Sequence, residues 1–138
     1  MSLATFDTDT LREFTHRFEE LFYAGDAAAM ASYYADDGQI MADGMRPIRG
    51  QAAIGTFWQA AIERVTLVGA RRTIEMHEWS GSADMGYALC TVTVELPTTT
   101  VAVWDTTVWR RDPDGRWRIA VDISTPLPPA VGPDSTHP

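Results

Sequence analysis

A change of hydrophobic period close to Val65 divides this chain and constrains its fold more than any other feature. Before it, apolar residues recur at three- and four-residue spacing. Leu11, Phe14, Phe18, Leu21 and Phe22 fall on one helical face, and so do Ala53, Ile54, Phe57, Trp58, Ala61 and Ile62. After it, β-branched and aromatic residues dominate residues 71–79, 85–96, 99–110 and 116–124, which read as strands of one antiparallel sheet. Helices first and strands afterwards indicate an α+β fold. Local signals punctuate the segments. Thr8, Asp9 and Thr10 offer capping oxygens to the first helix, and Gly25 ends it in a left-handed cap. Asp26 then caps a short second helix that runs on to Tyr34, and residues 36–38 turn the chain into a short strand at 39–42. The third helix follows Gly50, and Asp112, Pro113, Asp114 and Gly115 form a hairpin turn before the last strand.

A length of 138 residues allows one domain, placed at 1–125, and five of the eight prolines fall in the remaining tail, 126–138, which is expected to be extended or disordered. The formal net charge of -8 repels phosphate backbones and anionic lipid surfaces, so neither nucleic acid nor a membrane is expected as a partner. Cys90 is the single cysteine and sits in an apolar run, the setting of a buried, inert thiol. The first ten residues lack a basic start and an apolar core, and no window is long and apolar enough to span a membrane; a cytoplasmic protein is expected. His16, His77 and His137 are too far apart for metal-ligand spacing, and no HxxxH, CxxC, GxGxxG, Walker or GxSxG pattern occurs, so no metal and no cofactor are predicted.

The chemistry-bearing candidates lie on the last hairpin. A four-residue loop over 112–115 would set Arg111 opposite Arg116 and Asp105 opposite Asp122, giving two carboxylates on one face. Two carboxylates so close in a low-dielectric pocket cannot both ionise, so one would act as acid and its partner as base. A three-residue loop with Gly115 in a bulge pairs Asp112 with Arg116 instead and sends the two aspartates to opposite faces. Asp122 could then be a structural carboxylate beside Arg116 and Arg118, and Asp105 an edge charge. Alternation along its strand lets His77 face a cavity as a proton carrier, although a lone strand histidine is more often structural. Trp109 shares parity with Thr107 and Asp105, whereas Trp104 points the other way and is the candidate for a subunit interface.

Several weak motifs occur in a telling order: Gly25-Asp26-Ala27; Tyr34-Ala35-Asp36-Asp37-Gly38; Ile48-Arg49-Gly50-Gln51 with Ile54 and Phe57-Trp58; then Val108-Trp109-Arg110-Arg111 and Asp114-Gly115-Arg116-Trp117-Arg118-Ile119. As a set they resemble the SnoaL-like and ketosteroid-isomerase-like families of the nuclear-transport-factor-two-like superfamily, over roughly residues 11–125. The resemblance implies a cystatin-like cone: three N-terminal helices on a curved antiparallel sheet, an apolar cavity open at one end, and a homodimer formed through the sheet. It also implies three ketosteroid isomerase roles, which this sequence does not fill. The hydrogen-bonding tyrosine falls on Phe18, the general base on Ala42 with Asp43 one step beyond, and the protonated aspartic acid on Thr107. Tyr34, Phe57 and Trp58 match cavity-wall positions, and the resemblance places an acid near Asp122 among SnoaL-like sequences.

The expected function is therefore acid/base proton transfer on a hydrophobic, ring-containing or polyketide-like molecule, of isomerase, cyclase or hydrolase type. Asp122 is the principal catalytic group and Asp105 the second, with Phe18, Tyr34, Phe57, Trp58, His77, Thr107 and Trp109 around the substrate. The alternative is a binding or dimerisation module of the same fold that has kept the cavity without the chemistry.

Overall fold

A computed structural model describes residues 6–127. The first helix, α1 (Thr8–Ala24), starts one residue earlier than its threonines suggest, because the Asp7 carboxylate accepts from the Thr10 amide at 2.9 Å. Gly25 closes it with φ 76°, and Asp26 caps the short α2 (Ala27–Ala31) through the Ala29 amide at 3.1 Å. The third helix, α3 (Gln51–Val68), runs past the apparent change of period to Gly69, whose positive φ ends it. Among the described residues no helix is long and apolar enough to cross a membrane.

Six strands follow or interleave: β1 (Tyr34–Ala42), β2 (Ile48–Arg49), β3 (Arg71–Gly81), β4 (Met85–Glu95), β5 (Thr100–Arg111) and β6 (Trp117–Pro126). They form one sheet in the order β2-β1-β6-β5-β4-β3. The sheet is mixed rather than wholly antiparallel, because β1 runs parallel to β6. Four apolar or aromatic strands in hairpin sequence announce antiparallel pairing, but a strand inserted between helices carries no local sign of its partner's direction.

Strand β1 also begins earlier than predicted. Tyr34 pairs with Ile119 and Gln39 with Val121, so residues 35–38 bulge out of the ladder instead of forming a free turn. Gly38 makes that bulge possible: a Cβ there would lie 2.9 Å from the backbone oxygens of both Ala35 and Ile119. At the other end β6 continues through Pro126, opposite Val103, and the Leu127 amide donates to Ala102 O at 3.0 Å. Proline is tolerated there because the strand is ending. Residues 128–138 of the expected tail, with His137, lie outside the described residues.

The core lies between the helices and one face of the sheet. Phe18, Leu21 and Phe22 of α1 and Ile54, Trp58 and Ile62 of α3 are buried there with Tyr34, Trp109 and Ile119. Full burial of such side chains is worth about 1.5–3 kcal/mol each. Phe6 closes the core at one end, its ring 5.1 Å from Trp117 and 5.7 Å from Trp109, over the paired glycines Gly81 and Gly86.

Candidate active site

The helices stop short of filling the sheet, and a cavity of about 150 Å³ remains between them. Its walls are largely apolar, with Phe14, Phe18, Phe57 and Trp58 from the helices and Ile74 and Val92 from the sheet. Polar side chains enter from few places, chiefly Tyr34, Asp105, Thr107 and Asp122 on one side and Arg72 on β3.

Two local features of the last hairpin bring Asp105 and Asp122 together. The loop is the tighter of the two alternatives: the Asp112 amide donates to Arg116 O at 2.9 Å, the Gly115 amide to Asp112 O at 2.8 Å, and Gly115 has φ 85°. That loop alone would separate the aspartates. A bulge then shifts the register between Val108 and Trp109, so that Trp109 pairs with Ile119 but Val108 with Val121. Beyond it Thr107 faces Asp122 and Asp105 faces Ser124, all four on the cavity side. The aspartates are thus diagonal neighbours, not the direct partners of the longer loop, and their carboxyls make hydrogen-bonding contact.

This contact requires a shared proton. Burial, followed by the charge of Asp122 and the hydrogen bond to it, pushes the Asp105 carboxyl well above the ordinary carboxylate range, with Arg72 opposing. Asp105 therefore holds the proton. Asp122 is buried, and its Oδ2 accepts from the Tyr34 hydroxyl at 2.7 Å. The Trp58 indole N–H in turn donates to the Tyr34 hydroxyl at 3.2 Å. Tyr34 is held well above its usual range, first by burial and then by the charge of Asp122, so it remains a donor. Oδ1 of Asp122 is buried without a donor among the described residues, which leaves it for the Asp105 proton or for a ligand.

A raised folded-state pKa adds stability below the unfolded value and loses it as pH rises through the folded one. Wild-type stability should therefore decline as pH climbs above the ordinary carboxylate range, and Asp105→Asn should lessen that decline. Thermal melts of both proteins from acidic to alkaline pH check this; parallel curves would show that Asp105 holds no displaced proton.

Most of the sequence-predicted residues meet here: Phe18, Tyr34, Phe57, Trp58, Asp105, Thr107 and Asp122 all line the cavity. Two do not. His77 lies on the opposite face of the sheet, its Nε2 2.9 Å from Thr91 Oγ1 and its ring 5.3 Å from that of Trp104. It follows Met76, whose set with Arg72 and Ile74 takes the cavity face, and it is the extra residue of a bulge in β3, where Met76 pairs with Cys90 and Glu78 with Leu89. Trp109 is buried in the core rather than on the cavity wall, edge-on to Phe14 at 4.7 Å. From there its indole donates to Thr107 Oγ1 at 2.8 Å, which orients the threonine hydroxyl and leaves its proton for the cavity.

The sequence reading missed Arg72. It is buried beside Glu19, with its guanidinium carbon 5.0 Å from the centroid of Phe22 and 5.5 Å from that of Trp58. Burial raises the Glu19 carboxyl, and the arginine offsets part of that rise. The available signal was parity, since Arg72 alternates in phase with Ile74 and Met76, both cavity residues. Cys90 also lines the cavity, its thiol pushed up to about 12 chiefly by burial.

The SnoaL-like domain model matches residues 15–119. The chain belongs to that family. Solved structures similar to this SnoaL-like chain include an NTF2-like protein with a cystatin-like fold from Novosphingobium aromaticivorans, 22% identical with a TM-score of 0.77, covering 90% of this chain and 84% of that one. A ketosteroid isomerase-like protein from Erwinia carotovora atroseptica is 18% identical with a TM-score of 0.70, over 91% of this chain and 100% of that one. A protein from Catenulispora acidiphila, in complex with S-DNPA, is 17% identical with a TM-score of 0.67, over 86% and 91% of the respective chains. These likenesses establish the cystatin-like α+β fold of the SnoaL-like chain. No functionally curated protein sequence matches it.

Proposed function

We propose that this SnoaL-like domain is a small-molecule enzyme that transfers protons on a hydrophobic, ring-containing or polyketide-like compound, as an isomerase, cyclase or hydrolase. The observation that carries the reading is the Asp105–Asp122 pair, one member held protonated, on the wall of an apolar cavity. Asp122 takes a proton from the substrate while Asp105 delivers its own to the substrate oxygen. For a ketone, a C–H bond beside the carbonyl breaks and its electrons form the enol as the oxygen is protonated. The proton on Asp122 then returns to a different carbon, and the enol proton goes back to Asp105, so charge and protons balance. Tyr34 steadies Asp122 through Oδ2, and Thr107 donates from the adjacent strand.

The test is turnover of cyclohex-3-en-1-one to its conjugated isomer, followed by ultraviolet absorbance, by the wild type and by Asp122→Asn. Turnover that vanishes in the variant supports the reading, and equal activity in both removes it. A ring ligand bound and returned unchanged would favour the binding module, the reading that Phe18 and Ala42 suit, since both stand where ketosteroid isomerases carry working groups.

The same proposal includes a homodimer through the sheet, a place in polyketide biosynthesis, and a cytoplasmic setting in keeping with a single cysteine. The outer face exposes Trp104 and Tyr87, the large side chains such a contact would cover. Light scattering should give a dimer mass for the wild type and a monomer for Trp104→Glu; dimers of both proteins would place the contact elsewhere.

A further inference from the structure

The mechanism above gives Arg72 no task, yet its position is unusual. It lines the cavity together with the carboxyl pair, and its Nη1 binds Glu19, while among the described residues no other group receives its remaining guanidinium N–H donors. Two features of α1 hold it in place. Glu19 takes the guanidinium, and Tyr23, one turn later, grips the Arg72 backbone, its hydroxyl donating to Arg72 O and accepting from Arg72 N, both at 2.8 Å. The rings of Phe22 and Trp58 carry the guanidinium itself. Trp58 therefore joins both polar ends of the cavity, with Arg72 against its ring and its N–H directed to Tyr34 and, through Tyr34, to Asp122. Along the sheet Arg72 stands two strands from β5, about 10 Å at ordinary strand spacing, and apolar side chains such as Ile74 and Val92 lie between it and the acids.

Charge decides what such an arginine can bind. Glu19 already neutralises it, and the carboxyl pair contributes a further negative charge, so an anionic ligand would bring an uncompensated charge into a low-dielectric space. A neutral acceptor oxygen brings none and takes a charge-assisted hydrogen bond from the spare donors. Size sets the other limit, because about 150 Å³ matches engineered apolar cavities that admit one benzene ring and falls below the roughly 300 Å³ at which pockets for larger ligands begin.

We propose that Arg72 is a specificity-determining residue and that the cavity selects neutral, single-ring compounds that place an acceptor oxygen on Arg72, at the opposite end from the group that meets the acid pair, in preference to carboxylates and to fused-ring molecules. The proposal narrows the substrate class of the acid/base reading and rests on it only for the reaction that follows binding.

Calorimetric titration of the full chain with four probes tests it: acetophenone, its hydrocarbon isostere α-methylstyrene, benzoate and androst-4-ene-3,17-dione. Acetophenone is expected to bind about tenfold or more tightly than either α-methylstyrene or benzoate, the scale of one hydrogen bond to a charged group. The steroid is expected to show no binding. In Arg72→Met the preference of ketone over hydrocarbon should disappear, and Arg72→Lys should restore part of it. Because Arg72→Met leaves Glu19 unpaired, Glu19→Gln/Arg72→Met serves as the second variant and should lose the preference equally. Equal binding of ketone and hydrocarbon to the wild type, tighter binding of benzoate, binding of the steroid as tight as that of acetophenone, or a preference that survives in both variants would each overturn the proposal. The acid/base reading fails separately: ketone preference through Arg72 without isomerisation of cyclohex-3-en-1-one refutes the reaction and sustains the selectivity.

Discussion

Asp122→Asn is expected to lower proton-transfer turnover by roughly 10²–10⁴-fold, the usual contribution of a positioned acid or base, while the folded protein becomes at least as stable. The loss follows because a carboxamide cannot take up a proton near neutral pH. The stability follows from the surroundings of Asp122. Its carboxyl is buried against a second carboxyl, an arrangement whose like charges favour unfolding unless a proton is retained. An asparagine removes that charge, its carbonyl can still accept from Tyr34, and its amide can donate toward Asp105. Activity and stability are therefore expected to move in opposite directions, a trade-off common where a site holds destabilising groups for its chemistry. Initial rates on cyclohex-3-en-1-one and a thermal melt of the same preparation read both. A variant that loses activity and also melts many degrees earlier would show that Asp122 serves mainly as a structural acceptor for Tyr34.

The largest stability effect is expected far from the acids, at Gly86. A Cβ at this position would lie 2.4 Å from Cδ2 of Phe6 and 2.6 Å from its Cγ, and one on Gly81, its partner across the ladder, would lie 2.9 Å from Phe6 Cβ. The two glycines make the niche that receives the phenyl ring beneath Trp109 and Trp117. Gly86→Ala should expel that ring and cost about 3–5 kcal/mol, the range for deleting a buried Phe side chain. A double-mutant cycle in urea checks the mechanism: Phe6→Ala should be costly in the wild type and nearly silent once Gly86→Ala is present. Additive losses would mean that Gly86 is required for the strand itself and not for the ring above it.

Much of the site was legible before any coordinates. Tyr34, Phe57 and Trp58 belong to the cavity wall, as the family resemblance implied, and so do the two aspartates, which stand out as acids within apolar strands. His77 and Trp109 illustrate what that reasoning lacks. His77 is out of phase with Arg72, Ile74 and Met76, so the apolar members of the alternation own the cavity face and the histidine points outward, while the residue inserted after Met76 brings Trp79 back toward the core. Trp109 has the expected parity but lies in the helix-packed part of the face, away from the hollow, and parity carries no information about position along a strand.

Taken alone, the order of residues determined the kinds of elements and the places where they stop. Helical spacing up to Val65, the caps at Asp26, Gly25 and Gly69, and the turn at Asp112 to Gly115 all act through neighbouring backbone and need no distant partner. Tertiary structure decided which carboxyls meet. The hairpin loop by itself would have parted Asp105 from Asp122, and the bulge beyond Trp109 reunited them. Such a bulge forms where strand ends, helices and the parallel strand β1 must be satisfied together. Strand register is a collective property, since one added residue exchanges the faces of every side chain beyond it, and no short stretch of sequence contains the competing contacts that select it.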